Sequence, residues 1–412
     1  MTSLQPIRGT HDILPDEYPR FAHVVEAARA VTRLYGYREM ATPVFETTEV
    51  FARTSGETSD VVMKQMYSFV DRGGDPLTLR PEYTAGICRA FITNGQQQNV
   101  PFKVFAWGPM FRYERPQKGR YRQFHQLDIE VIGSPEPGAD VEVIAVGADI
   151  LDRLGVLKDC VLELNSLGDS ESRAAHRKVL IDYFKAHEAK LSEDSKSRLE
   201  RNPLRIFDSK DEGDRALLPN APLLKEYLTP SAQGFFAGVL RGLDDMGIAY
   251  RVNPHLVRGL DYYTHTAFEF VTTNLGAQGT VLAGGRYDGL IEQLGGPPTP
   301  GIGWAAGIER LMMLAGAPGA APRPVALVPL GEAAERRALS LARDLRRRGI
   351  AVELDYKGNM KRRLQRANKA GARAAVILGD NELAKGVAAV KDLDKSEQKE
   401  VALAALAEAL SG

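Results

Sequence analysis

Cysteine and long apolar runs are both scarce in this sequence, and each scarcity excludes a class of protein. Cys88 and Cys160 are the only cysteines, so neither a disulfide scaffold nor a cysteine-based zinc site can be built. No apolar run approaches the ~18 residues of a membrane span, and the N-terminus has no apolar signal core. The seven histidines show no metal-ligand spacing. We therefore expect a cytoplasmic protein with no membrane partner and no metal site built from side chains.

An excess of charge of one sign is also absent, because 53 lysines and arginines balance 53 aspartates and glutamates. This balance argues against a uniformly basic nucleic-acid-binding protein, but it hides an asymmetry. Residues 322–412 contain 18 basic and 12 acidic residues, and residues 336–373 contain 13 and 3. The second stretch is suited to binding phosphates. The alternative is a helix face rich in lysine and arginine that only contacts water.

The length of 412 residues predicts two or three domains. Residues 316–324 (GAPGAAPRP) are typical of a linker. After it, predicted strands at 325–328, 351–354 and 374–378 alternate with predicted helices at 332–348 and 361–370, which favours a mostly parallel α/β domain. Residues 165–227 are charged and helical in character, as an insertion into the first domain would be.

Near the N-terminus, apolar residues recur at helical spacing, and Gly36 then ends the run. The residues that share this face are Phe21, Val24, Val25, Ala28, Val31 and Tyr35. We expect a helix here, followed by a strand over residues 37–43.

Residues 105–132 contain the most informative pattern, two strand-like stretches separated by a turn that holds Pro116 and Gly119. Side chains alternate across a strand, so each strand has two faces. One face is apolar and is expected in the core: Phe105, Trp107, Phe111, Leu127, Ile129 and Val131. The other face is polar: Arg112, Glu114, Phe124, Gln126, Asp128 and Glu130.

The polar face contains the groups that an adenylate-forming site needs. An arginine can pair a phosphate with two parallel hydrogen bonds, and an aromatic ring can stack on a purine. Carboxylates and an amide can bind the amine of a small amino acid. The alternative is a solvated hairpin with salt bridges across its strands, which are common and contribute little.

Four segments carry a resemblance to a known family. Residues 111–124 (FRYERPQKGRYRQF) resemble the second signature motif of class II aminoacyl-tRNA synthetases in its histidine-specific form. Residues 258–263 (RGLDYY) and 283–288 (AGGRYD) resemble the two motifs peculiar to histidyl-tRNA synthetases. Residues 301–314 (GIGWAAGIERLMML) resemble the third class II motif. The similarity extends from Arg8 to the C-terminus.

The resemblance implies an α+β catalytic domain, in which helices flank an antiparallel class II synthetase sheet, over residues 1–164 and 228–315. A helical insertion domain would occupy residues 165–227, with a linker at 316–324. A separate C-terminal α/β anticodon-binding domain would occupy residues 325–412. The N-terminal helix and strand resemble the first class II motif, which implies a homodimer.

The implied activity is the ATP-dependent attachment of L-histidine to tRNA(His) through histidyl-adenylate, with Mg²⁺ carried by ATP. Such steps depend on positioning and on stabilising charge on oxygen. The resemblance assigns catalysis to Arg112 and Arg258, on opposite sides of the α-phosphate, and tRNA contact to Gln117. It assigns ATP binding to Arg112, Glu114, Arg120, Phe124 and Arg310. Locally, Arg258 could instead pair with Asp261, and Arg310 with Glu309 or another acidic residue.

Histidine recognition is assigned by the same resemblance to Glu82, Tyr83, Thr84, Arg112, Gln126, Glu130, Arg258, Tyr262, Tyr263 and Tyr287. Glu130 and Tyr263 are suited to the two imidazole nitrogens, one of which donates and one of which accepts. Glu82, Thr84 and Gln126 are suited to the α-amino group. Tyr287 has an alternative as an ordinary core tyrosine. Asp128 shares the strand face, but the resemblance gives it no role.

Two other functions fit part of the sequence. A non-catalytic, histidine-sensing regulatory paralogue would lose catalytic arginines and the C-terminal domain, whereas this chain has Arg112, Arg258, Arg310 and a basic C-terminal segment. A nucleic-acid-binding module without catalysis would leave the arginines and carboxylates of the hairpin unexplained.

Overall fold

The structure is a computed structural model that describes residues 4–55, 65–117, 119–260, 262–276, 279–319 and 322–411. It divides into two compact units, Met1–Pro318 and Gly319–Gly412. The predicted linker at 316–324 includes positions 320 and 321, which lie outside the described residues. Among the helices that the structure describes, none has the length and apolar character needed to cross a membrane.

The first unit contains a large sheet and a small one. Its strands are β1 (Arg38–Glu39), β2 (Phe45–Thr47), β3 (Tyr67–Val70), β4 (Pro76–Leu79), β5 (Phe102–Phe111), β6 (Gln123–Ile132), β7 (Val161–Ser166), β8 (Arg251–Val252), β9 (Thr264–Val271), β10 (Thr280–Arg286) and β11 (Gly301–Gly307). The large sheet has eight strands in the order β1-β5-β6-β11-β10-β9-β7-β8, and the small one has the order β2-β4-β3. The large sheet is antiparallel except for the parallel edge pairs β1–β5 and β7–β8, so the predicted fold class is confirmed.

The helices of the first unit either flank this sheet or belong to the inserted segment. They are α1 (Tyr18–Leu34), α2 (Thr48–Ser55), α3 (Thr84–Thr93), α4 (Pro137–Arg153), α5 (Ser170–Ala186), α6 (Glu193–Arg201), α7 (Glu212–Leu217), α8 (Pro230–Asp245), α9 (Leu290–Gln293) and α10 (Ile308–Leu314). The core between α1, α4 and the sheet contains Val24, Val25 and Ala28 of α1 and Val143 and Ile144 of α4. The predicted N-terminal helix is therefore confirmed, and its apolar stripe is its buried face.

The strand predicted over residues 37–43 was too long, because β1 covers only two residues. The chain leaves the sheet after Met40, whose N–H donates to the Phe105 carbonyl (2.9 Å). Two residues later, the Thr42 carbonyl accepts from Arg80 Nη1 (2.9 Å) rather than from a neighbouring strand. Beyond the end of the strand, a distant side chain thus takes the place of a strand partner.

The predicted hairpin is confirmed as β5 and β6, with Phe105 opposite Ile129 and Trp107 opposite Leu127. Phe105, Leu127 and Ile129 are buried in the main core, and Trp107 packs on its edge. Phe111, expected on the same apolar face, is only half-buried at the end of its strand.

Residues 165–227 are helical, as predicted, after the first two residues complete β7. The Asp169 side chain caps α5 by accepting from the Ser172 N–H (2.8 Å). A separate apolar cluster holds α5 and the following helices together, and it includes Leu180, Phe184 and Leu199.

The second unit has a five-stranded sheet in the order β13-β12-β14-β15-β16. Its elements are β12 (Val325–Pro329), α11 (Glu332–Arg347), β13 (Val352–Leu354), α12 (Met360–Lys369), β14 (Ala374–Leu378), α13 (Asp380–Ala384), β15 (Val387–Asp392), β16 (Gln398–Ala402) and α14 (Leu406–Leu410). The expectation of a mostly parallel sheet was wrong. β12 is parallel to β13 and β14, but β14, β15 and β16 pair antiparallel. The chain returns from β14 to β15 through the short helix α13, and from β15 to β16 through a short turn, and neither connection is long enough to cross over the sheet.

Candidate active site

The polar face of the β5–β6 hairpin lines a cleft of about 320 Å³ in the first unit. Gln126, Asp128 and Glu130 form a row along β6. Except for Val104, the residues opposite this row on the two neighbouring strands are small: Gly108, Ala106, Gly307, Ala305 and Gly303. A Cβ at position 303 would lie 1.7 Å from Glu130 Oε2, so glycine is required there. Small neighbours keep the space above the polar row open.

The cleft brings together most of the residues that the sequence predicted. Those on its wall are Glu82, Thr84, Arg112, Glu114, Arg120, Phe124, Gln126, Arg258, Tyr262, Tyr263, Tyr287 and Arg310. Within the described part of the chain, three predicted site residues are not on this wall: Tyr83, Glu130 and Gln117. Tyr83 is buried, and its hydroxyl donates to the Trp107 carbonyl (2.9 Å), so it supports the strand behind the cleft.

Arg112 has a fixed orientation beside the cleft. Its Nε donates to the Pro81 carbonyl (2.8 Å), and its guanidinium carbon lies 5.1 Å from the centroid of the Phe124 ring. The predicted phosphate-binding arginine and the predicted adenine-stacking ring are therefore neighbours on one wall.

Arg258 lies on the wall with its side chain mostly buried. It forms an ion pair with Glu269, and its guanidinium carbon lies 5.3 Å from the Tyr263 ring centroid. Glu269 also accepts from the Thr280 hydroxyl (2.9 Å). Among the described residues, Arg258 Nε has no hydrogen-bond partner. The alternative partner Asp261 lies outside the described residues, and the partner shown is Glu269 instead.

Arg310 does not pair with Glu309. Its Nη1 donates to the Thr280 carbonyl (2.6 Å) and its Nε to the Gly119 carbonyl (3.3 Å). Glu309 instead accepts from the backbone N–H of His125 (3.0 Å). Burial, together with Arg120, lowers the pKa of Arg310 below its ordinary value. Several guanidinium groups on the wall of one cavity favour a bound polyanion.

The loop between β5 and β6 presents Gln117 to solvent. Gln117 and Arg120 exchange two backbone hydrogen bonds (3.1 and 2.8 Å), which close a tight turn. The Arg120 guanidinium pairs with Glu114 (3.1 Å) at the mouth of the cleft. Gly119 has a φ of +74°, which glycine adopts without strain. Gln117 thus projects from a well-defined turn.

Glu130 lies beneath the wall residues Thr84 and Tyr287. It accepts from the Thr84 hydroxyl (2.6 Å) and from the Tyr287 hydroxyl. Burial raises the pKa of Glu130 to about 8, against the lowering effect of these two hydrogen bonds. Glu82 is fixed nearby, since its Oε1 accepts from the Ala85 N–H (3.0 Å) at the start of α3.

Sequence reasoning missed several supporting contacts. The Arg122 N–H donates to the Gly9 carbonyl (2.7 Å), and the His11 and Tyr121 rings lie 4.4 Å apart, so the N-terminal segment packs on the β5–β6 loop. Nothing local in the sequence predicts this contact. Glu269 did leave a signal, because it is a charged residue between Phe268 and Phe270 in the apolar second half of its strand.

Two family models match this chain. The one described as histidyl-tRNA synthetase matches residues 9–311, and the one described as anticodon binding domain matches residues 324–412. The histidine–tRNA ligases of Gluconacetobacter diazotrophicus and Rhodospirillum rubrum are 60% and 59% identical to it over 412 residues. Each alignment covers 100% of this chain and 99% of the relative. The crystal structure of apo Staphylococcus aureus histidyl-tRNA synthetase is similar with a TM-score of 0.84 at 35% identity, and all of both chains is covered.

Proposed function

The chain belongs to the histidyl-tRNA synthetase family and is a histidine–tRNA ligase, and we propose that the cleft of its first unit is where histidine is activated. The ligase joins L-histidine to tRNA(His) and consumes ATP. Its full-length relatives at 60% and 59% identity are ligases, which favours tRNA charging over the regulatory alternative. The observation that carries the assignment of the cleft is the set of guanidinium groups, Arg112, Arg258 and Arg310, around one cavity with buried carboxylates.

In the first step, a carboxylate oxygen of histidine attacks the α-phosphorus of ATP, and the bond to the bridging oxygen breaks as pyrophosphate leaves. We assign Arg112 and Arg258 to opposite sides of the α-phosphate, where both would stabilise the negative charge that develops. Arg310 and Arg120 would hold the outer phosphates. Phe124 would stack on adenine, with Glu114 beside it. In the second step, the terminal ribose hydroxyl of tRNA attacks the activated carbonyl and AMP leaves.

Histidine would lie on the row of polar residues along β6. Thr84, Glu82 and Gln126 would bind its amino end, and Tyr262, Tyr263 and Tyr287 would enclose the imidazole. Glu130 lies behind these residues and accepts hydrogen bonds from the hydroxyls of Thr84 and Tyr287. It would therefore act on the imidazole by fixing the positions of these two hydroxyls. Tyr83 would act only by supporting the wall.

Mg²⁺ would enter this site with ATP. Within the described residues, no cluster of three potential ligand side chains can hold a metal ion. The ion would therefore take most of its oxygens from the phosphates and water, as Mg²⁺ commonly does. We assign no step to a protein-bound metal.

Pyrophosphate exchange measured with each of the twenty amino acids tests the proposed activity of the cleft. Histidine alone should support rapid exchange in the intact chain, and Arg112→Ala should abolish it. Exchange that needs another amino acid, or that survives in Arg112→Ala, would contradict the proposal.

Gln117 is proposed to contact the acceptor end of tRNA(His), since it is exposed at the tip of the turn beside the cleft. Gln117→Ala should slow aminoacylation and leave pyrophosphate exchange unchanged. Gln98→Ala, a change at another exposed glutamine, is the matched control. An equal loss in both assays would place Gln117 in the ATP site instead.

The second unit is proposed to read the anticodon of tRNA(His), supported by its match to an anticodon-binding family and by its basic helices.

We also infer a cytoplasmic homodimer that assembles through the segment of α1 and β1. Sedimentation velocity of the purified chain tests the dimer, and a monomer at micromolar concentration would refute it.

A further inference from the structure

Asp128 is the one member of the polar row on β6 for which neither the resemblance nor the reaction supplies a role. It is 1% exposed and lies on the cleft wall. Its neighbours across the sheet are Ala106 on β5 and Ala305 on β11. Alanine side chains are too short to cover a carboxylate, so the neighbouring strands leave Asp128 open to the cavity.

The carboxylate of Asp128 has no internal partner. Within the described part of the chain, neither of its oxygens accepts a hydrogen bond. This distinguishes it from Glu130, whose two oxygens are taken by Thr84 and Tyr287. Buried polar atoms in folded proteins are nearly always paired, so an unpaired carboxylate on a cavity wall indicates a missing ligand.

Two further acceptors of the same wall are also unpaired among the described residues. They are Glu82 Oε2 and Gln126 Oε1. Glu82 interacts electrostatically with Asp128, which places the two carboxyl groups near each other. The wall therefore offers three acceptor side chains in one region. An ammonium group carries three N–H donors and no acceptor, and it is the matching chemistry.

We propose that Asp128, together with the other unpaired acceptors Glu82 and Gln126, binds the α-ammonium group of histidine beside Thr84, and that it helps to select substrates that carry a free amine. This inference rests on the proposed histidine site and extends it by one residue. The ammonium group would also place a positive charge beside the two neighbouring buried carboxyl groups, Asp128 and Glu82.

The charges around Asp128 fit this role. Burial raises the pKa of Asp128 well above its ordinary value, Glu130 and Glu82 raise it further, and Arg80 and Arg112 oppose the rise. Arg80 is committed to the fold, since it donates to the carbonyls of Pro109 and Thr42 (both 2.9 Å). A bound cation would reduce the repulsion between Asp128 and its carboxyl neighbours Glu82 and Glu130.

Calorimetric titration of the intact chain with three ligands tests the proposal. L-Histidine has the amine, the carboxylate and the imidazole, L-histidinol lacks only the carboxylate, and imidazolylpropionate lacks only the amine. Asp128→Asn should weaken histidine and histidinol binding by about 10- to 100-fold, the effect of losing a charged hydrogen bond. Binding of imidazolylpropionate should change by less than about threefold. The exposed Asp152→Asn is the matched control and should bind all three like the unmodified chain.

The melting temperature without ligand separates this role from a structural one. Asp128→Asn replaces an unpaired buried carboxyl group with a neutral amide of the same size, so it should melt at the same or a higher temperature than the unmodified chain while binding histidine less tightly. If Asp128→Asn does not fold, Asp128→Ala, which matches the alanines on both neighbouring strands, takes its place with the same expectations. Equal weakening of all three ligands, or no weakening of histidine, would overturn the proposal. Failure of the unmodified chain to bind histidine would instead refute the proposed site as a whole.

Discussion

The two units of this chain use positive charge in opposite ways. In the cleft, each guanidinium group is fixed by a specific partner: Arg258 by Glu269, Arg310 by two carbonyls, and Arg112 by the Pro81 carbonyl. In the second unit, most arginines and lysines of α11 and α12 are exposed. Arg363 is a buried exception, and it pairs with Glu335 (2.6 Å).

This difference predicts different sensitivities. A charge with fixed orientation in a cavity that excludes water acts strongly on one atom of the substrate. An exposed charge is screened by salt and contributes to a diffuse attraction shared among many residues. Single substitutions should therefore have large and specific effects in the cleft and small, salt-dependent effects in the second unit. Of the four predictions that follow, three test this contrast in order of decreasing effect on catalysis or binding, and the one on pH tests the protonation of Glu130.

Arg258→Ala should slow adenylate formation by the equivalent of about 3–4 kcal/mol, because it removes a donor to the charge that develops on the α-phosphate. Pyrophosphate exchange measures this, with calorimetric histidine binding as a second readout that should change far less. Arg251→Ala, at an exposed arginine of β8, is the control. Pyrophosphate exchange by Arg258→Ala within a few-fold of the unmodified rate would show that the fixed guanidinium group of Arg258 does not contribute to adenylate formation.

Glu130→Gln and Tyr263→Phe should each weaken histidine binding by roughly 1–3 kcal/mol, because each leaves a buried polar partner unpaired. The apparent KM for histidine in the exchange assay should rise, while that for ATP stays nearly constant. A parallel rise in both KM values would mean that these residues support the fold of the cleft and not the imidazole site.

The stability of the unliganded chain should fall as pH rises from about 5 to 8. Burial raises the pKa of Glu130 from its ordinary value of 4.5 to about 8. Between these values the folded chain holds a proton that the unfolded chain has lost, so stability present below pH 4.5 is lost towards pH 8. One such group contributes ~1.4 kcal/mol per pH unit. Urea unfolding at several pH values should show a smaller decline for Glu130→Gln, and identical declines would contradict the assignment.

Arg362→Ala, at an exposed position of α12, should weaken tRNA binding only a few-fold and reduce the slope of log affinity against log salt by about one. Pyrophosphate exchange should be unchanged, since the residue lies in the other unit. Lys158→Ala, at an exposed lysine of the first unit, is the control. A salt-independent loss of more than tenfold would indicate a fixed, specific contact and would weaken the contrast between the units.

Local periodicity by itself determined much of the fold. The helical spacing of Phe21, Val24 and Ala28 and the alternation through β5 and β6 each predicted an element and its buried face, because these patterns repeat within one segment. The same alternation placed Arg112 and the β6 row on one face. The sequence also predicted the order of strands and helices in the second unit up to β14. It did not predict β15 and β16, of which β15 pairs antiparallel with β14 and β16 pairs antiparallel with β15.

Only the tertiary structure decided which groups meet. Arg258 pairs with Glu269 on a neighbouring part of the sheet, and Glu309 binds His125 while its neighbour Arg310 binds Thr280 and Gly119. Tyr83 and Glu130 lie behind the wall that the sequence expected them to form. The small residues that keep Asp128 open come from β5 and β11. Such contacts join segments far apart in the chain, and no local pattern records them, because they depend on how the strands are ordered in the sheet.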